Sequence, residues 1–327
     1  MRLLKLVPDD TNIDFLKWRK VASFMSFFLV VISIALVAVR GLNLGVDFVG
    51  GQSVHVEFTG EMPEIGDIRE AVGKIGLGEA TIQQFGSDKA VSIRTALPEG
   101  DQAAAERAGQ QLVAGIQKAF PTAHTGQVET VSGKVSEELL RTGAISLALA
   151  MLGISIYIWV RFEWQFGVGA LGRLFHEVAL TFGFFAVTQI QFDLNSVAAL
   201  LTIVGYSLND TIVVYDRIRE NLKKYRKMEI VPLLNLSINE TLSRTVMTSV
   251  SVLMALAVLL IFGPDVIFGF TAAMLLGVFV GTYSSILMST PVLVWLKVGP
   301  HSFVPRTSAA AEGAERVASR NDDGAVV

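Results

Sequence analysis

The chain has 327 residues, of which 51% are hydrophobic and only 17% charged, with a formal charge of -3 and a mean hydropathy of +0.51. Soluble domains carry about 25% charged residues, so this composition excludes a wholly water-soluble protein and points to a helical polytopic membrane protein. The absence of cysteine excludes disulfides, thiolate metal sites and cysteine nucleophiles. The balance of charge excludes a nucleic-acid partner, and His55, His124, His176 and His301 show no ligand spacing, so no metal is expected.

Residues 1–20 read as a basic N-terminal segment ending in "KWRK". The first apolar run is Val21 to Val39, closed by Arg40. A cleaved signal peptide has an apolar core of about 7–15 residues. This run is longer, so residues 21–40 are expected as an uncleaved first span.

Residues 41–135 read as a water-soluble domain. Period-two alternation marks "SVHVEFT", with Val54, Val56 and Phe58 on one face and His55, Glu57 and Thr59 on the other. "TIQQFG", "AVSIRT" and "HTGQVETVSG" read as further strands, and "EIGDIREAVGKIG" and "GDQAAAERAGQQLVAGIQKAF" as helices. The order β-α-β-β-α-β predicts a small α+β, ferredoxin-like unit between the first and second membrane helices.

Five more spans are expected in residues 136–300, near Leu139–Val160, Phe166–Ile190, Ser196–Tyr215, Val246–Phe262 and Val266–Leu296. The last is too long for one straight crossing, and Pro291 is expected to end or kink it. A cytosolic loop is expected near 217–244, with its amphipathic second half lying along the membrane surface. Residues 301–327 read as a disordered cytosolic tail. Lys and Arg concentrate in the N-terminal segment and after the fourth span, but are absent from "QIQFDLN" and "GPDVIFG". The positive-inside rule then places both termini in the cytosol and the 41–135 domain outside, in the periplasm.

Asp210 is the residue that most needs explaining. It lies in the fourth span about 9 Å inward of Asp216 along a helix. Tyr206 and Ser207 share its face, and Asn209 adjoins it. A carboxylate at this depth is costly and turns to the bundle interior or to a wet cavity. It reads either as a protonatable relay or as a structural polar residue. Arg244, at the start of the fifth span, falls at comparable depth and reads either as its partner or as an interfacial arginine reaching for water. His176 and Glu177, with Arg173, form a second polar cluster in the third span, read first as helix–helix glue. "GVGALG" (Gly167, Gly169, Gly172) and "GVFVG" (Gly277, Gly281) have small-residue packing spacing. No nucleotide-binding loop occurs in the sequence, so no nucleotide or other cofactor is expected and an ion gradient is the remaining energy source.

Two stretches carry a resemblance. "GLNLGVDFVGG", Gly41 to Gly51, is similar to the Gly-rich segment that opens the extracytoplasmic domain in the SecD/SecF protein-export family, a branch of the RND-type transporters. "VGYSLNDTIVVYDRIREN" resembles the fourth-span signature of the SecF branch. The resemblance implies a non-enzymatic subunit of the bacterial inner membrane that uses the proton-motive force in preprotein translocation. It implies SecD and the SecYEG channel as partners, YajC and YidC as further ones, and Asp210 and Arg244 as the proton-passage pair. Gly41, Gly45, Asp47, Gly50 and Gly51 are then the domain entry, read equally as a compliant joint or as a tight strand start. The chain departs from the family pattern at Val49, at Glu177 beside His176, and at Arg173.

Two other functions fit the sequence less well. A stand-alone proton-coupled RND-type transporter of small solutes needs a second half, which one six-span chain lacks. An intramembrane aspartyl protease needs two aspartates from different helices, whereas Asp210 and Asp216 share one.

Overall fold

A computed structural model describes residues 7–8, 11–78, 80–86, 88–98 and 102–299. The expected tail, together with His301, Arg2 and Lys5, lies outside the described residues.

Six helices are long and apolar enough to cross a membrane. A 3-10 turn, Phe15–Trp18, leads into α1 (Arg19–Arg40). One helical turn, α2 (Val46–Val49), then precedes strand β1 (Gly51–Phe58). The domain continues through α3 (Ile65–Ile75), β2 (Ala80–Gln84), β3 (Ala90–Thr95), α4 (Gln102–Ala119) and β4 (Ala123–Val131). The bundle comprises α5 (Gly133–Arg161), α6 (Trp164–Thr188), α7 (Leu194–Lys224), α8 (Ile230–Phe262), α9 (Phe268–Leu287) and α10 (Ser289–Trp295).

The sheet is antiparallel throughout, in the order β2-β3-β1-β4, which is the split βαβ topology. Val54, Val56 and Phe58 turn to the helix side and pack with Ile68, Val72, Val91, Ile93, Leu112 and Ile116 in a closed core. The opposite face is polar: Ser53 meets Ser92 at 3.2 Å, and His55 stacks on Phe85 with ring centroids 4.0 Å apart.

That polar face rests on the bundle. Arg94 donates to the Leu44 carbonyl, to Asn43 Oδ1 (2.8 Å) and to Gln83 Oε1 (2.9 Å). Asn43 in turn donates to the Gln189 carbonyl at the end of α6 (2.8 Å). At the other corner, Gly86 in the β2–β3 turn lies so close to Asp265 that an added Cβ would sit 2.3 Å from its Oδ1.

Several boundaries differ from expectation. The long loop near 217–244 is replaced by a turn at 225–229, because α7 runs on to Lys224 and α8 already begins at Ile230. Nothing in this stretch forms a separate surface-lying segment. The charged residues conceal an apolar stripe: Ile218, Leu222, Leu233, Leu234 and Ile238 bury together with Leu16. Asn221 bonds Ser237 (2.9 Å) and Arg217 bonds Glu240 (2.7 Å) across the pair. Pro232 fits because it lies in the first turn of α8, where its missing N–H is no loss. At about 1.5 Å per residue, α8 is about 50 Å long and outreaches a bilayer core of about 30 Å. The last span does break, at Met288, where Pro291 has no N–H for the Leu287 carbonyl.

The first helix is fixed at both ends. Asn239 of α8 donates to the Ile13 carbonyl and accepts from its N–H, both at 2.9 Å, and Asn235 accepts from Leu16 N–H at 3.1 Å. At the domain end, Arg40 donates to the Val187 carbonyl (2.8 Å), and Ser33 presses on Gly183 of α6. The domain's second connection, α5, buries Ser136 and Ile158 and packs Leu139, Leu147, Met151 and Ile154 on the bundle.

Candidate functional site

Three helices meet around α7 in the middle of the bundle. The close approach of α9 depends on glycine: an added Cβ would lie 2.4 Å from Ile203 at Gly277 and 2.8 Å from Ser207 Oγ at Gly281. In "GVGALG" only Gly169 is used this way, against Tyr215 and the Ser289 carbonyl; Gly172 has open space around it.

The centre of this contact is Arg173, 1% exposed. Its Nε lies 2.9 Å from Glu177 Oε1 and donates to Ser284 Oγ at 2.9 Å. Nη1 donates to the Ser207 carbonyl (2.8 Å), and Nη2 to the Gly281 carbonyl (2.8 Å) and to Ser207 Oγ. One guanidinium thus binds α6, α7 and α9 together. Glu177 Oε1 also accepts from Ser284 Oγ at 2.5 Å. His176 is buried beside it, with Nε2 3.4 Å from the Tyr283 hydroxyl.

Asp210 is 6% exposed, one turn beyond Ser207 on the same side of α7. The cations that act on it are Arg173 first and Arg244 second, and Glu177 is the nearby charge of like sign. Arg244 is exposed on the outer face of α8, in a row with Met247, Ser251, Met254 and Val258. Among the described residues, Asp210 and Arg244 form no ion pair. Asn209 is exposed with Thr202 and Gly205 on the outer face of α7. Tyr206 is half-buried, with Thr248 and Ser249 of α8 opposite.

The domain entry forms a second centre. Gly45 N–H donates to the Phe192 carbonyl, and Phe192 N–H to the Asn43 carbonyl, both at 2.8 Å. Asp47 Oδ2 accepts from the N–H of Leu194, the first residue of α7, at 3.0 Å. Asp193 completes the cap by accepting from Ser196 N–H at 2.8 Å. Phe48 packs on Phe192, ring centroids 5.8 Å apart. Gly50 and Gly51 have φ of +79° and +124°, and a Cβ at Gly51 would meet the Thr95 carbonyl at 2.7 Å. They provide a tight strand entry that no side chain fits. Gly41 also has positive φ, at +73°, but stands in open space.

Sequence reasoning had no account of Arg173, although an Arg and a Glu four residues apart in an apolar helix signal a buried pair. It also missed Arg94, Asp193 and Glu129 at the domain junction. Burial pushes the Glu129 carboxyl up, helped by Asp47 and Asp193. Burial likewise raises Asp193, against its hydrogen bonds to Ser196.

Six spans around a buried cluster of opposite charges, with one α+β domain between the first two, define a multi-pass membrane protein with an intramembrane ionic centre. Residues 112–299 match the family described as protein export membrane protein SecD/SecF, C-terminal, and residues 35–60 the SecD/SecF GG motif. The protein translocase subunit SecF of Rhodobacter capsulatus is 45% identical over 305 residues, covering 90% of this chain and 91% of that one. That of Rickettsia rickettsii is 41% identical, covering 89% and 94%. The crystal structure of SecDF, a translocon-associated membrane protein from Thermus thermophilus, superposes with a TM-score of 0.78 at 34% identity. It covers 88% of this chain, which spans only 39% of that longer one. The chain belongs to the SecD/SecF family, on its SecF branch.

Proposed function

We propose that the chain works as the SecF half of a SecD–SecF unit that uses the proton-motive force to promote preprotein translocation beside SecYEG, with YajC and YidC as further neighbours. In this reading the protein lies in the bacterial inner membrane with both termini in the cytosol and the α+β domain in the periplasm. The observation that carries it is Asp210: a carboxylate buried at mid-bundle, beside helices that an arginine binds together. A residue of this kind gains or loses a proton at a free-energy cost that its neighbours set.

The partner is supported by the outer faces of α7 and α8. Asn209 and Arg244 are polar and exposed at membrane depth, where lipid cannot satisfy them, whereas Thr202 and Ser251 beside them bond carbonyls of their own helices. A second set of helices would cover them, and the longer Thermus chain, of which this one spans 39%, has length enough to supply such a set. Arg244 then lies at the seam between the two halves, in reach of a proton path but outside the resting ion pair. Protonation of Asp210 changes the balance of charge inside the bundle, and α7 transmits the change to the domain through its Asp47 cap.

The test is Asp210→Asn in membrane vesicles carrying the full complex, with export measured with and without a proton gradient. The gradient-dependent increment should vanish, and Asp210→Glu should keep part of it. An Asn variant that responds fully to the gradient would overturn the reading.

A further inference from the structure

Arg173 is the largest of the fully buried side chains among the described residues, and every one of its nitrogens has an acceptor. The buried centre nevertheless does not balance. It holds one cation, Arg173, and two carboxylates, Glu177 and Asp210, while Arg244 stays on the exposed face. Glu177 spends only Oε1 on Arg173 and Ser284; its Oε2 is buried with no hydrogen-bond partner. A bare, buried carboxylate oxygen is an expensive arrangement unless it carries a proton for part of the time.

We propose that Glu177 is a second proton-carrying carboxylate, and that Glu177 and Asp210 act as one pair that shares Arg173. This deepens the proton-coupled reading above and rests on it. Arg173 bonds Glu177 directly and acts on Asp210 through its charge, from its seat on Ser207. Nε holds Glu177 on its own helix, while Nη1 and Nη2 hold Ser207, one turn ahead of Asp210 on α7. One guanidinium compensates one carboxylate at a time. A proton on Asp210 leaves Arg173 to Glu177, as the hydrogen bonds now show; a proton on Glu177 Oε2 frees the guanidinium toward Asp210. The step makes and breaks only O–H bonds: the proton arrives from water, rests on one oxygen or the other, and leaves to water. The other titratable groups around this centre are His176 on α6, Tyr206 and Tyr215 on α7 and Tyr283 on α9, with Arg244 acting on Asp210 from the exposed face of α8.

The full complex is tested in vesicles and, purified, by infrared titration of the protonated-carboxyl band, with Asp210→Asn identifying the Asp210 component. With Glu177→Gln, the gradient-dependent increment of export should fall about tenfold or more. The Asp210 band should titrate about one pH unit or more away from wild type, as coupled sites do. Arg173→Gln should lose the increment, and Arg173→Gln combined with Glu177→Gln should recover fold stability but not the increment, because a buried pair removed whole is tolerated better than a pair broken while the second proton-carrying carboxylate is still missing. An unchanged Asp210 titration in Glu177→Gln would overturn the pair, since a purely structural Glu177 leaves that band alone. A double variant that regained the increment would do the same, since Glu177 would then serve only to neutralise Arg173. If Asp210→Asn keeps the increment, the proton-coupled reading itself fails. An increment that needs Asp210 but ignores Glu177 overturns only the pair.

Discussion

Asp47, in the helical turn α2 that opens the soluble domain, caps the helix that carries Asp210: its Oδ2 accepts from Leu194 N–H at 3.0 Å. The acid of the glycine-rich motif is thus spent on another element's exposed amides, which concentrate positive potential at a helix start. Asp47→Ala should weaken the first turn of α7 by about 1 kcal/mol, and Asp47→Asn, an equally good cap, should restore most of it. Amide hydrogen exchange at Leu194 to Val197, compared with the middle of α7, reads both. Equal exchange in wild type and the alanine variant would remove the cap from the account.

Arg94 governs the second attachment of domain to bundle. Its three acceptors lie on Leu44, Asn43 and Gln83, and Asn43 carries the contact on to Gln189. Arg94→Ala should cost on the order of 2–3 kcal/mol, the scale of hydrogen bonds from a charged donor. The domain should then sample a wider range of positions. Spin-label distances between the sheet and the end of α6 should broaden in the variant, while the fold of the isolated sheet signal stays unchanged.

The junction has a pH dependence opposite to that of most acidic residues. Glu129 and Asp193 both have carboxyl pKa values raised on folding, mainly by burial, with Asp47 adding repulsion to each. A raised acid binds its proton more tightly when folded. Between the unfolded and folded values the native state therefore holds more protons, and stability falls as pH rises through that window. Mild acidification should tighten the junction and Glu129→Gln should flatten the dependence, both measured as thermal unfolding midpoints of the full chain. A midpoint that falls steadily on mild acidification in wild type, and equally in Glu129→Gln, would contradict the assignment.

Two glycines three residues apart make a paired control for helix packing. Gly169→Ala puts a Cβ 2.6 Å from the Tyr215 hydroxyl and 3.1 Å from the Ser289 carbonyl, and should destabilise by about 1–3 kcal/mol. Gly172→Ala meets nothing within 4 Å and should be neutral or stabilising by under about 1 kcal/mol. Denaturant unfolding in detergent distinguishes them.

Much of this architecture is legible in the residues alone. Apolar runs locate the six spans, and period-two alternation in "SVHVEFT" assigns Val54, Val56 and Phe58 to the core side that they occupy. The burial of Asp210 follows from its depth in an apolar run. What failed was the reading of 217–244, where charge was taken for a loop. There the apolar residues recur every three or four positions and bury against each other, which is a soluble-type helix pair, so hydropathy alone ends the helices too soon. The contacts of Arg173, the first cation acting on Asp210, were also beyond sequence order. Arg173 meets α7 and α9 across 34 to 111 residues, and such contacts have no local signature.

The soluble domain hangs from two legs. One, α1, is held by Asn235 and Asn239 at its far end and by Arg40 at its near end; the other, α5, packs Leu139, Leu147, Met151 and Ile154 on the bundle and is tied at its far end by the Arg161–Asp216 ion pair. A body carried on two posts can turn only where a joint lets it, and the first post has one. Gly41, with positive φ and open space around it, stands at the top of that post, and the boxed-in Gly50 and Gly51 do not. Torque that passes from the domain through this post is therefore borne by α6, on which the post is braced, and α6 is the helix that carries Arg173 and Glu177.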